Sequence, residues 1–243
     1  VTSPTFHPVE AELLRSIWST VDRIHTKTRE LQNAVNKTLE KLPSFLVDLV
    51  ISKWNEFTRA INGFWDQLNE AFAYTGSPSK LTETADAWNG LVGGPVSGQV
   101  LTADAGTLQV DNKWEGDAAD AYRATLPQQK AALDKVKTAL TDGITSGLSD
   151  VAGAITSFWR QLLVTLGILA AGIVGAIVSA GTIFGLPAAP VVAGLAVVVA
   201  VGSVWHAMST LEGACSSAAN TMQQRLADNS AFRGGHWPSA VRY

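Results

Sequence analysis

From Leu162 to Val204 the chain carries no Asp, Glu, Lys or Arg. The run reads LLVTLGILAAGIVGAIVSAGTIFG, breaks at Leu186-Pro187-Ala188-Ala189-Pro190, and resumes as VVAGLAVVVAVGSV. A helix needs roughly 20 apolar residues to cross a bilayer core about 30 Å thick. The first segment is long enough for that and the second is marginal. Two prolines so close together do not fit inside one continuous helix. The run therefore predicts a helical hairpin with Phe184, Pro187 and Pro190 at its tip.

The flanks carry amphipathic aromatics beside polar groups, Trp159-Arg160 at one foot and Trp205-His206 at the other. Tryptophan favours the membrane–water interface, where its ring is half buried and its N–H is wet, so these four residues are expected as interface anchors. Within the first arm Gly167, Ala171, Gly175 and Ser179 recur every fourth residue, and Gly194 and Gly202 begin a sparser ladder on the second. Small side chains let helices approach closely in lipid, where no hydrophobic force drives them together. These six residues are the expected packing face. A second reading stays open: a helix apolar all round can equally be the buried centre of a soluble bundle.

The rest of the chain bounds the possibilities. Its 243 residues, 47% hydrophobic and 16% charged, suffice for one large domain or two small ones. A net charge of −3 leaves no basic footprint for nucleic acid. The single cysteine, Cys215, excludes an internal disulfide framework and reads as a small buried hydrophobe. Val1-Thr-Ser-Pro-Thr-Phe-His lacks the basic and apolar regions of a secretory signal peptide. A cytoplasmic location, or export by a route that reads folded or helical signals, is expected from that.

No stretch alternates like a strand, so an all-α chain is predicted. A first helix is expected from Pro8, with Glu10 and Glu12 in its first turn and a stripe through Leu14, Ile17, Val21, Ile24, Leu31, Val35 and Leu42. Pro43 interrupts it. Ser44 caps a second helix, whose stripe runs Phe45, Leu49, Trp54, Phe57, Ile61, Phe64, Leu68 and Phe72 and which ends near Tyr74. Gly76-Ser77-Pro78-Ser79 is a stop. A short helix then spans Leu81 to Trp88, a loose stretch covers Asn89 to Pro95, and Gln99 to Asn112 is helical again.

A long helix is predicted from Asp117 to Trp159, bent at Pro127. Its stripe is Tyr122, Leu126, Leu133, Val136, Leu140, Ile144, Leu148, Val151, Ile155 and Phe158. Helical spacing resumes from Leu211 to Leu226, and a loop tail follows from Asn229. The pattern divides the chain into 1–78 (long amphipathic helices), 79–160 (a helix–turn–helix), 161–208 (the apolar hairpin) and 209–243 (a helix and tail).

The most specific short stretch is Trp114-Glu115-Gly116-Asp117-Ala118-Ala119-Asp120-Ala121-Tyr122. Here glycine supplies the positive φ of a tight corner, Trp114 is expected to close the end of the apolar seam, and Asp117 to cap free N–H groups of the next helix. A second Trp-x-Gly, Trp88-Asn89-Gly90, lies in a looser context. Trp114 and Gly116, followed by small residues, Tyr122 and a long helix, resemble the turn of the WXG-type proteins exported by type VII (ESX-like) secretion systems of actinobacteria and related bacteria. The resemblance covers about Leu81 to Leu140. It implies a helical hairpin that pairs with a second one, as homodimer or heterodimer, and export without a signal peptide. The family's export signal, a tyrosine with an acidic residue four positions on, has no match: Tyr122 is followed there by Leu126, and Tyr74 by Pro78. The resemblance then implies either a partner that carries the signal or a chain that is not itself a substrate.

Chemistry is sparse. The four histidines, His7, His25, His206 and His236, stand apart from one another and from acidic or thiol partners at metal-ligand spacing. No Gly-x-Ser-x-Gly elbow or phosphate loop occurs, and Asp117 with Asp120 reads as a helix start. Neither catalytic nor metal residues nor a cofactor are expected, and the chain is not read as an enzyme. The fold class predicted is an all-α, elongated helical bundle with a WXG-type helix–turn–helix and a Gly/Ala-rich apolar hairpin. The function predicted is a type VII secretion-associated, secreted or envelope-associated protein whose hairpin meets membrane lipid conditionally. It forms pores on homo-oligomerisation or works with a WXG-type partner. The alternatives are a soluble interaction or chaperone partner with the hairpin as permanent core, and a subunit fixed in the membrane by it.

Overall fold

A computed structural model describes residues 8–74, 76–104, 113–228 and 230–240. It is 86% helical, and no strand occurs among the described residues. We label the helices α1 (Pro8–Leu39), α2 (Ser44–Tyr74), α3 (Pro78–Trp88), α4 (Gly94–Thr102), α5 (Asp117–Arg123), α6 (Leu126–Lys135), α7 (Asp142–Ala180) and α8 (Ala189–Ala227). Two π-helical segments, Asn89–Gly93 and Val136–Thr141, join α3 to α4 and α6 to α7, and Arg233–Gly235 forms a 3-10 turn. The all-α bundle expected from the sequence is the fold found.

The chain forms two compact units: residues 1–77 with 154–212, and residues 78–153 with 213–243. The sequence boundaries at 78/79, 160/161 and 208/209 follow pattern, whereas these units follow packing.

The first unit is built from α1, α2 and the adjoining halves of α7 and α8. Glu10 lies in the first turn of α1 and Lys37 in its last, each charge suiting the helix dipole. The α1 seam is buried at Ile17, Val21, Ile24, Leu31, Val35 and Thr38. On α2 the seam starts later than its sequence implies. Phe45 and Leu49 are exposed, and burial begins at Val50 and continues through Phe57, Ile61, Phe64, Leu68 and Ala71. The corner at Leu42–Ser44 sets the phase of α2, and position 50, not 49, falls on the inward face. Trp18 stacks on Phe72 and His25 on Trp65, with centroids 4.8 and 4.4 Å apart. Seven residues forward on α1 thus match seven backward on α2, the signature of an antiparallel pair. Phe72 also packs on Trp159 at 4.8 Å, and Gly76 lies against Ile155, so α2 and α7 run antiparallel as well.

The second unit gathers the short helices. The α4 helix packs on α6, and the two π segments touch where Gly93 meets Thr141, whose Cγ2 would stand 2.8 Å from a Cβ at position 93. Asn89 to Pro95, read as loose in sequence, is therefore helical throughout. Of the helix expected from Gln99 to Asn112, the part through Thr102 is present, and residues 105–112 lie outside the described set. On the N-terminal part of α7, Gly147 and Gly143 admit the Met222 and Arg225 side chains of α8, which would lie 2.8 and 3.1 Å from added Cβ atoms. Packing is what keeps these low-propensity glycines helical.

Lys135 pairs with Asp228, and its hydrogen bond, joined by those from Ser230, holds the Asp228 carboxyl at about 2, below the usual carboxylate range. The tail is tied to α6: Trp237 Nε1–H donates to Gln129 Oε1, and Gln129 Nε2 donates to the Pro238 carbonyl at 2.6 Å.

The helix expected without interruption from Asp117 to Trp159 is broken twice. It stops at Ala124–Thr125, with Pro127 tolerated in the first turn of α6, and widens into the π segment at 136–141. A π turn inserts a residue and rotates everything downstream. The stripe accordingly leaves Leu140, Leu148 and Val151, which are only partly buried, for Thr141, Gly147 and Ala152. Beyond Trp159 no break occurs. The α7 helix continues without interruption into the apolar run.

Candidate functional site: the apolar hairpin

The apolar run forms two helical arms joined by an eight-residue turn, Gly181–Ala188, so the expected hairpin is present. Its corner begins five residues earlier than Leu186-Pro190 suggests. Pro187 lies in the turn, but Pro190 is buried in the first turn of α8, where no preceding helical carbonyl requires its missing N–H. Phe184 stands at the tip, 97% exposed.

The tip closes on itself. The N–H groups of Gly181 and Thr182 donate to the carbonyls of Ile177 and Ser179, and that of Leu186 to Thr182. Gly185 N–H donates to Thr182 Oγ1 at 3.0 Å, and Ala188 and Ala189 both donate to the Gly185 carbonyl. Any side chain at 185 would collide with the Ser179 carbonyl and Thr182 Oγ1. Thr182 and Gly185 therefore build the corner. Sequence reasoning missed both, although a Gly-Thr followed by a Gly after a helix is a turn signal.

Each arm has two faces. Inward lie Leu162, Leu166, Leu169, Ile173, Ala176 and Ala180 on α7, with Ala189, Ala193, Val197, Ala200 and Val204 on α8, all buried. The arms approach closely at Gly172, where an added Cβ would collide with the Ala196 methyl. The ladder expected to pack is elsewhere. Nothing lies within 4 Å of a Cβ at Gly167, Gly175, Gly194 or Gly202, and Ala171 is exposed, while Ser179 back-bonds to the Gly175 carbonyl at 3.2 Å. The approach is instead at Gly172, which lies at four-residue spacing with the buried Ala176 and Ala180 and between the buried Leu169 and Ile173. The four predicted glycines are thus not where the arms meet.

Outward lie Val164, Ile168, Val174 and Val178 on α7, and Val191, Val192, Leu195, Val198, Val199 and Trp205 on α8, all exposed. With the exposed Ala171 and Gly202 in the two wider gaps, they recur at helical spacing, so each arm presents a continuous apolar stripe. Burial covers only 39% of the most apolar window of the α7 segment and 28% of that of α8. Both helices are long and apolar enough to cross a membrane.

The four expected anchors are not equivalent. Arg160, Trp205 and His206 are exposed. Trp159 is 4% exposed, wedged between Phe72 and Phe158, and its Nε1–H has no partner. Position 159 falls beside the seam residues Phe158 and Leu162, and its ring turns into the bundle. Position 205 follows the seam residue Val204 and points out.

The Trp-x-Gly turn lies in the second unit. Gly116 adopts φ 101° and ψ 176° and precedes α5, with its carbonyl accepting from the Ala119 and Asp120 N–H groups at 2.9 and 3.1 Å. That φ is the one expected of it. Trp114 does not close a seam: it is 41% exposed and packs on Tyr122, ring centroids 5.8 Å apart. Arg123 holds the turn by donating to the Trp114 carbonyl at 2.8 Å while pairing with Asp120. Asp117 occupies the first turn of α5 with Asp120, and the N-cap position is Gly116 itself, which has no side chain to cap with. This backbone region is almost confined to glycine, and other residues there cost about 1–3 kcal/mol. Gly116→Ala is expected to lose that much and to speed amide exchange at Ala119 and Asp120, read by hydrogen exchange with mass spectrometry, whereas Gly90→Ala leaves both unchanged.

Among the described residues no cluster of His, Cys, Asp or Glu could hold a metal ion. No protein-family profile, curated protein or solved structure matches this chain.

Proposed function

We propose that the chain is a membrane-active helical protein whose hairpin gives one face to its own bundle and the other to a lipid bilayer. One observation carries the reading. An apolar stripe runs the length of both arms, without an Asp, Glu, Lys or Arg side chain between Arg160 and Glu212, and is left uncovered by the fold. A hairpin serving only as soluble core is mostly buried, and this one is not. Monomers seldom expose apolar patches above a few hundred Å², and larger ones mark interaction or membrane sites.

Delivery by type VII-like export, alone or with a WXG-type partner, belongs to the same proposal. It is supported by Trp114, Gly116 and the positive φ at Gly116. Pore formation by oligomers is the further consequence that dye release would report.

Flotation on a density gradient tests the reading. The protein purified without detergent is expected to stay soluble alone and to rise with phosphatidylcholine vesicles. Remaining at the bottom with every vesicle composition identifies a hairpin that is permanent core. Precipitation whenever detergent is withheld identifies a fixed anchor.

A further inference from the structure

The open stripe belongs to a unit whose other surface is charged. On α1 the exposed side chains include Asp22, Arg23, Arg29 and Glu30, and on α2 Glu56, Arg59 and Asp66. The hairpin offers no Asp, Glu, Lys or Arg over the same length. The first unit is in this respect an amphipathic layer, with a two-helix polar side and a two-helix apolar side. Interfacial helices have the same division within one helix, and they lie in the plane of the bilayer with the apolar face about 5–10 Å into the headgroup–acyl boundary.

From this we infer that the membrane-bound form lies lengthwise, hairpin down, with α1 and α2 still seated on its inner face. The inference rests on the lipid-binding reading and specifies its geometry. Two features favour this pose over one in which the tip crosses the bilayer. First, the inner face of the hairpin is already occupied: Leu162, Leu166, Leu169 and Ile173 are fully buried. Crossing would strip α1 and α2 away and expose their seams, from Ile17 to Leu31 and from Val50 to Phe64, to water. Lengthwise docking breaks no packing. Second, the apolar side chains at the two ends, Phe184 at the tip and Trp205 at the foot, belong to the exposed set, so both ends of the stripe can enter lipid together. The tip itself has few free donors, which suits contact with lipid in either pose. Of its N–H groups only those of Ile183 and Phe184 lack an internal bond among the described residues, and Pro187 has none to offer. Backbone groups that leave water must be satisfied within the chain, and this corner is nearly so before any lipid arrives.

The occupant is therefore the acyl boundary of a bilayer, not a charged headgroup. The stripe has no cation, so adding anionic lipid is expected to change affinity less than about threefold.

The test uses the full chain with Cys215→Ser and one new cysteine at a time, Val164→Cys, Phe184→Cys, Val198→Cys or Arg29→Cys. Each is labelled with bimane and bound to phosphatidylcholine vesicles containing nitroxide lipids at shallow or deep acyl positions. All four sites are exposed, so each variant is expected to fold. The expected result is equal quenching of 164, 184 and 198 by the shallow nitroxide and none at 29. Strongest quenching of 184 or 198 by the deep nitroxide, or quenching of 184 by an aqueous quencher trapped inside the vesicles, would overturn the lengthwise pose while leaving lipid binding intact. Absence of co-flotation would overturn the lipid reading itself.

Discussion

Replacing Leu195 and Val198 together by glutamate is expected to abolish vesicle flotation and leave the folded protein almost untouched. Both side chains are exposed on the open stripe of α8. In the free protein they lie mostly in water, and glutamate is a good helix former, so stability should hold within the roughly ±0.5 kcal/mol typical of surface changes. On a bilayer each loses the transfer energy of a large apolar side chain, about 1.5–3 kcal/mol. The pair then forfeits a hundredfold or more in partitioning. Leu166→Ala makes the opposite comparison: it empties a fully buried position, lowers stability by about 2–5 kcal/mol, and spares the lipid face. Flotation and thermal melts on the two variants separate surface from core. Unchanged flotation of the Leu195→Glu/Val198→Glu protein would remove the stripe from the mechanism.

The second large effect is expected at Gly172. A Cβ there collides with the Ala196 methyl of the opposite arm, so Gly172→Leu must push α7 and α8 apart along their whole apolar contact. Overpacking a closed seam costs about 1–3 kcal/mol for small insertions and more for a leucine, or roughly 6 °C or more in melting temperature for a chain of this size. Gly167→Ala and Gly175→Ala meet nothing. They should stabilise the helix by up to about 1 kcal/mol through propensity alone. Three glycines in one helix thus respond with opposite signs. Calorimetry of the three variants checks this, and recovery of Gly172→Ala by Ala196→Gly locates the collision.

The contrast shows what could be read from sequence alone. The hairpin was legible because charge is excluded over so long a run, and no other arrangement of an all-α chain fits two apolar arms with prolines between them. Its seam was not. A four-residue ladder of small side chains is compatible with any helix face, and only the bulk of Leu169 and Ile173, pressing into the bundle, selects Gly172 over Gly167 and Gly175. The corner was misplaced because Pro190 looks like a breaker yet is harmless in a first turn. The stripe through Leu148 and Val151 slipped because nothing in Val136–Thr141 announces a π segment, and one extra residue there shifts the inward face until the pattern is met again at Ile155 and Phe158. Trp159 and Trp205 look symmetrical as letters, but their phase relative to the seam sends one ring inward and the other out. Gly116, by contrast, was legible to its dihedral angle, since only glycine suits a corner of that kind.

The two-sided character of each arm also sets two unequal rules for substitution. Along the inner side a residue is held by the volume it fills, so even one methyl too many, as at Gly172, is felt by the neighbouring arm. Along the outer side shape is unconstrained, and valine, isoleucine and leucine can replace one another freely provided that no charge is introduced. The same fifty-odd letters are thus edited under a rule of fit on one side and a rule of solubility on the other.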